Sequence, residues 1–269
     1  MGQPRRSNTG RNTAPRLAES SCYRCGYPWR EHCGDLGPYQ KWCLRRWAAG
    51  VVVCATDRGS GATRLLFGKE DRHDGGYNIF WGFGELNEVV PCLTAARECA
   101  EEALGLFGSE ADLEAVLQVL DSESDSCGHL FYVYLGIQDL GEVVAEYGRR
   151  RERWMRAMQA MGPLAPGGRQ PGGDIMERLL VVDARAFLRA ALENDSVSLR
   201  SLGDDAGTVT PIAGAREPGA LRPRPPAVWL AALLARPTTE ALQRLRLFID
   251  GEAPAPGTHV APQIGAPVP

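Results

Sequence analysis

Proline restricts this chain more than any other residue. Of its 19 prolines, only Pro91 falls within residues 45–140. Proline fixes φ and removes a backbone donor, so it interrupts helix interiors and central strands. Long regular elements are therefore open to residues 45–140, and punctuation falls elsewhere. It gathers with glycine in GPLAPGGRQPGG (162–173), in 198–226 and in the tail from Ala253.

Within the proline-poor stretch, the hydrophobic pattern predicts the elements. Gly50 to Thr56 reads as a buried strand, Asp57 to Gly61 as a turn and Thr63 to Glu70 as a second strand, and the two strands make a hairpin. IFWGFGEL is a short aromatic strand entering a glycine loop. Pro91 to Leu104 reads as a helix with a small apolar face of Thr94, Ala95, Ala96, Cys99 and Ala103. Leu113 to Leu120 and His129 to Leu135 read as strands. Further on come an arginine-dense helix from Glu142 to Met161, a strand from Glu177 to Val182 and a helix from Ala184 to Leu192. Residues 198–226 read as irregular, and Ala227 to Ile249 as helical with a break at Pro237. Strands flanked by helices describe one α/β domain of roughly 170–200 residues with additions at both ends.

Composition excludes several classes. The longest apolar runs, such as Ala227 to Ala235, are far below the ~20 residues of a membrane span. The first residues lack the apolar core of a secretory signal, so the expectation is a soluble cytoplasmic protein, with the nucleus open. A net charge of -3 argues against a general nucleic-acid binder. The charge is local instead. Arg5, Arg6, Arg11 and Arg16 make residues 1–19 a basic arm expected to be disordered.

The stretch that carries chemistry is GFGELNEVVPCLTAARECAEEALGL, from Gly82 to Leu106. Glu98, Glu101 and Glu102 stand at i, i+3 and i+4 and share one helix face. Like charges so placed repel, and a hard divalent cation such as Mg²⁺ would neutralise them. A solvated acidic face is the plainer alternative.

This stretch resembles the signature of the Nudix hydrolases, G-x5-E-x7-R-E-U-x-E-E-x-G-U, where U is apolar. Gly82 and Glu88 match its first pair. Arg97, Glu98, Cys99, Glu101 and Glu102 match R-E-U-x-E-E, and Gly105-Leu106 close it. Two spacings are one residue longer, between Glu88 and Arg97 and between Glu102 and Gly105. The family's Gly-Gly-Lys is here Gly82-Phe83-Gly84, without lysine.

The resemblance implies an α/β/α sandwich with a mixed sheet over 48–250, with insertions at 141–176 and 198–226. It implies Mg²⁺- or Mn²⁺-dependent hydrolysis of a nucleoside diphosphate linked to another group, by water attack at phosphorus. By position, Glu98, Glu101 and Glu102 become metal ligands, joined by the carbonyl of Gly82. Glu98 is also a candidate base, and Arg97 orients a neighbouring carboxylate such as Glu88. A later acid often serves such enzymes. Glu177 is the preferred candidate, with Asp121, Glu123 and Asp125 competing. Lys69 and Arg72 are candidates for holding phosphate. The contrasting class is a non-catalytic Nudix-like module that binds nucleotide or RNA.

Two features lie outside this signature. Residues 20–47 hold Cys22-x2-Cys25-Gly, His32, Cys33 and Cys43, and Cys22, Cys25, His32 and Cys43 are the preferred set for a structural Zn²⁺. In the 147–161 helix, Arg149, Arg150, Arg151, Arg153 and Arg156 offer contacts to capped RNA, which would make the enzyme a decapping one. The plainer reading packs a Trp154, Met155, Met158 and Met161 stripe on the core and leaves the arginines in solvent. The tail, 251–269, is expected to be disordered.

Overall fold

The computed structural model describes residues 47–70, 76–85, 88, 90–123, 128–161, 175–194, 196–201, 208–213 and 220–255, apart from the side chains of residues 122, 123, 201 and 208. All of them belong to one compact unit, Trp47–Pro269. The four zinc candidates (Cys22, Cys25, His32 and Cys43), Arg72, Asp125 and the 162–173 loop lie outside the described residues, as does the Glu123 side chain.

A mixed sheet is the frame. Its strands are β1 (Ala48–Asp57), β2 (Thr63–Glu70), β3 (Tyr77–Asn78), β4 (Phe80–Phe83), β5 (Gln118–Glu123), β6 (Gly128–Gln138), β7 (Met176–Asp183), β8 (Val197–Ser201) and β9 (Thr208–Ala213). They run in the order β5-β6-β1-β2-β7-β9-β8, with β3 on β2 and β4 on β1. β1 is parallel to β6 and antiparallel to β2. The helices are α1 (Pro91–Glu102), α2 (Glu110–Glu114), α3 (Leu140–Met161), α4 (Ala184–Glu193), α5 (Pro225–Ala235) and α6 (Glu240–Asp250).

Side-chain alternation explains the layering. Along β1, Ala49, Val51, Val53 and Ala55 point to one face, where Ala95 and Cys99 of α1, Leu113 of α2 and Val143 of α3 cover them. Val52 and Cys54 point to the other, under Phe187 of α4, Leu230 of α5 and Leu245 of α6. A strand covered on both faces reads as a continuous apolar run, as AAGVVVCATD does. Each fully buried Val, Leu or Phe contributes about 1.5–3 kcal/mol. Among the described residues, no helix is long and apolar enough to cross a membrane.

Three expectations are corrected. Leu113 to Leu120 is not one strand. Ser109 and Asp112 close a reciprocal capping box that starts α2, and strand begins only at Gln118. Residues 198–226 are not irregular, because β8 and β9 lie within 197–213 and extend the sheet beyond β7. Leu199 of β8 then exchanges N–H···O bonds with Leu221. At the opposite edge, the Leu120 carbonyl of β5 accepts the Thr239 hydroxyl at 2.6 Å.

The third correction concerns α3. Its buried residues are Leu140, Val143, Glu146, Tyr147 and Arg150, and Met161 is 61% exposed. Trp154 packs against the core as expected. The guanidinium of Arg150 is buried rather than solvated. Its Nε donates to Glu146 Oε1 at 3.0 Å, and its Nη1 to the Leu104 carbonyl at 3.0 Å.

Candidate active site

Gly82 brings the strand backbone against the acid helix. β4 pairs with β1 so that Gly82 lies opposite Ala49, whose side chain faces α1. A Cβ at position 82 would land on the Glu98 carboxylate. Only glycine allows that approach.

Arg97 organises the acids. Its Nε donates to Glu88 Oε1 at 2.7 Å, and its Nη1 to Glu101 Oε2 at 3.0 Å. Its Nη2 lies 2.8 Å from Glu98 Oε1 and donates to the Phe83 carbonyl at 3.0 Å. Glu88 is fixed from its other oxygen, which accepts the Thr94 hydroxyl and the Glu85 N–H, each at 2.6 Å. Trp47 Nε1 in turn donates to Thr94 Oγ1 at 2.8 Å. Glu102 points elsewhere, and its Oε2 accepts the Trp81 N–H of β4 at 3.0 Å.

Burial and pairing split these carboxylates. Burial opposes the charge on Glu88, but hydrogen bonds from Arg97, Thr94 and the Glu85 N–H outweigh it and hold the carboxyl below its ordinary range. At Glu98 burial wins. It pushes the carboxyl up to about 7 against the attraction of Arg97, and Glu101 and Glu88 add repulsion. Burial also works against the Arg97 cation, but the three surrounding carboxylates raise its pKa above the usual value. One guanidinium serving three carboxylates leaves the cluster with a surplus of negative charge.

Among the described residues, no three His, Cys, Asp or Glu side chains converge as a ready-made cation site. The reason is visible. Arg97 holds Glu98 and Glu101, while β4 holds Glu102. The donor chemistry still fits a hard divalent cation, because carboxylate oxygens with surplus negative charge and backbone carbonyls such as that of Gly82 are its preferred ligand types.

The other candidates fall as follows. Lys69 and Glu177 meet each other, with Lys69 Nζ 2.5 Å from Glu177 Oε2. Glu177 follows Met176, whose carbonyl accepts the Tyr147 hydroxyl at 2.6 Å, and the same hydroxyl lies 3.2 Å from the Glu102 carbonyl. The start of β7 therefore abuts the end of α1. Asp121 is buried opposite Leu130, whose side chain packs on the face away from α1. In α3, Arg149, Arg150 and Arg153 all pair with Glu146, and Arg149 also with Glu142.

The end of α1 shows how the longer spacing before Gly105 is absorbed. Gly105 N–H bonds to the Ala100 carbonyl at 2.7 Å, and Leu104 N–H to the Glu101 carbonyl at 3.0 Å. This is a Schellman closure, in which a left-handed residue usually glycine ends the helix. Here Leu104 has φ 54° and Gly105 φ 67°. Of Tyr147 and Arg150, which grip this end, Tyr147 carries no functional signal in the sequence, and Arg150 reads there as one of the arginines offered to RNA or solvent. Their one trace is position, since they continue the Leu140, Val143 stripe at helical spacing.

No protein-family model matches the chain, and no curated protein matches it. Solved structures do. A C. elegans Ap4A hydrolase binary complex is 16% identical, with 42% of this chain and 98% of that chain covered and a TM-score of 0.25. A MutT/nudix family protein from Enterococcus faecalis is 12% identical, with 81% of this chain and 70% of that chain covered and a TM-score of 0.34.

Proposed function

We propose that this chain is a Nudix-type hydrolase. It would cleave a phosphoric anhydride bond in a nucleoside diphosphate linked to another group. The observation that carries the proposal is the Arg97 cluster, in which Glu88, Glu98 and Glu101 share one guanidinium while Glu98 lies against Gly82. This arrangement supports reading Gly82, Glu88, Arg97 and Glu98 as the corresponding positions of the signature.

Glu98, Glu101 and Glu102, with the Gly82 carbonyl, would hold Mg²⁺ or Mn²⁺. Such an ion, when bound, neutralises charge developing on phosphoryl oxygens. The remaining work falls to the chain itself. Arg97 fixes the rotamer of Glu88, while Glu98, Glu101 and Glu102 would have to turn from Arg97 and β4 toward the ion as it binds. Glu98 is placed to take the proton of the attacking water, and Glu177 is the later acid beside the end of α1. Lys69 sits with Glu177, so an incoming phosphate competes for its ammonium and frees that carboxylate.

The test is a panel of nucleoside diphosphate derivatives, Ap4A, dNTPs and capped RNA, each with Mg²⁺ or Mn²⁺. One member should release nucleoside monophosphate or phosphate, and Glu102→Gln should abolish the release. No hydrolysis of any member would favour a module that only binds, and full activity in Glu102→Gln would overturn the assignment of Glu102 to the metal.

A further inference from the structure

We infer that Tyr147 and Arg150 of α3 are positioning residues, a two-point clasp that sets the acid helix against the strand carrying Glu177. Nothing in the signature calls for them. Tyr147 is buried, and its one hydroxyl meets two backbone carbonyls from different elements, Met176 of β7 at 2.6 Å and Glu102 of α1 at 3.2 Å. One turn later, Arg150 is 2% exposed and donates to the Leu104 carbonyl at 3.0 Å. Leu104 occupies the left-handed position at the end of α1, with φ 54°.

A non-glycine residue there is uncommon and persists where its surroundings over-determine it. Arg150 supplies that determination from the carbonyl side, and burial of the Leu104 side chain supplies it from the other. The clasp thus holds the extra residue of the Glu102–Gly105 spacing in place, so Glu102 keeps its direction toward Trp81. Tyr147 does the second half of the work. Its hydroxyl gives the residue before Glu177 and the last turn of α1 a shared partner.

The inference rests on the hydrolase reading only for its kinetic arm. Amide hydrogen exchange on the whole chain, without ligand, tests the clasp alone. Tyr147→Phe keeps the ring and removes the hydroxyl. It should speed exchange about tenfold, the worth of one hydrogen bond, in 103–106 and 176–179 together, and leave β8 and β9 unchanged. Arg150→Lys should speed exchange in 103–106 only. A uniform rise, a rise in one segment for Tyr147→Phe, or no rise overturns the clasp. In the kinetic arm, the Mg²⁺ concentration for half-activation should rise in Tyr147→Phe while KM for the hydrolysed nucleotide holds. A mere loss of folded protein would leave that concentration unmoved. An unmoved value overturns the positioning role. If the unaltered chain hydrolyses nothing, the hydrolase reading fails and the exchange data alone decide the clasp.

Discussion

Two arginines, half-buried Arg97 within α1 and buried Arg150 against its end, do opposite work. Arg97 sits among three carboxylates, Glu88, Glu98 and Glu101. Arg150 shares the carboxylate of Glu146 with Arg149 and Arg153, and Arg149 also meets Glu142. Among the described residues, the first cluster sets three acids against one cation, and the second sets three cations against two acids. A deficit of cation inside a fold is costly unless something arrives to fill it. The Arg150 guanidinium is bonded from within the fold, to a carboxylate and to a backbone carbonyl. The same residue type therefore sits in a cluster short of cation within α1 and in a closed joint at its C-terminal end.

The largest effect that could break this contrast is at the acid end. Glu102→Gln preserves shape and removes one charge. It should lower hydrolysis on the order of a thousandfold, several kcal/mol of lost transition-state charge stabilisation, with little change in the thermal midpoint. A parallel fall in stability would make Glu102 a structural acid. Arg150→Met should behave in reverse. Breaking a buried pair costs about 3–5 kcal/mol, although the other arginines on Glu146 will soften this, and urea titration should show the loss directly. Gly82→Ala comes next. Its Cβ must push Glu98 aside, and initial rates should fall about a hundredfold, the scale of a misplaced reacting group.

The smallest effect is a pH dependence. Burial raises the Glu146 carboxyl, but hydrogen bonds from Arg149, Arg150 and Arg153 outweigh it and hold it below its ordinary value. A lowered carboxyl stabilises the fold at pH above its unfolded value of 4.5, and that contribution disappears as pH falls through the folded value. Glu146→Gln should therefore cost stability at pH 7 and narrow its gap to the unaltered chain below pH 4. A gap constant across pH would remove Glu146 from the joint.

Much of the acid end could be read from the sequence, and little of the joint could. Glu98, Glu101 and Glu102 are separated by a helix's own spacing, so their shared face follows from local geometry. The β1–β2 hairpin and the run of α1 from Pro91 follow from patterning over a few residues. The joint depends on residues 45 positions apart, such as Glu102 and Tyr147, and no local rule links them. Arg150 misled because arginine ordinarily belongs in solvent. It occupies a core slot in the stripe from Leu140, and its charge hid that. β8 and β9 were missed for a related reason, since they take their order from β7 and Leu221 rather than from their own pattern.

The two outermost strands carry a consequence for how this molecule meets others. A strand with a free row of amides and carbonyls invites a neighbouring chain to add to it, in assembly or in aggregation. Here Leu221 takes up the outer backbone groups of Leu199 on β8, and Thr239 takes the Leu120 carbonyl on β5. At both of these points the growing edge of the sheet is stopped from within. A partner joining there would have to displace Leu221 or Thr239 before it could extend the ladder.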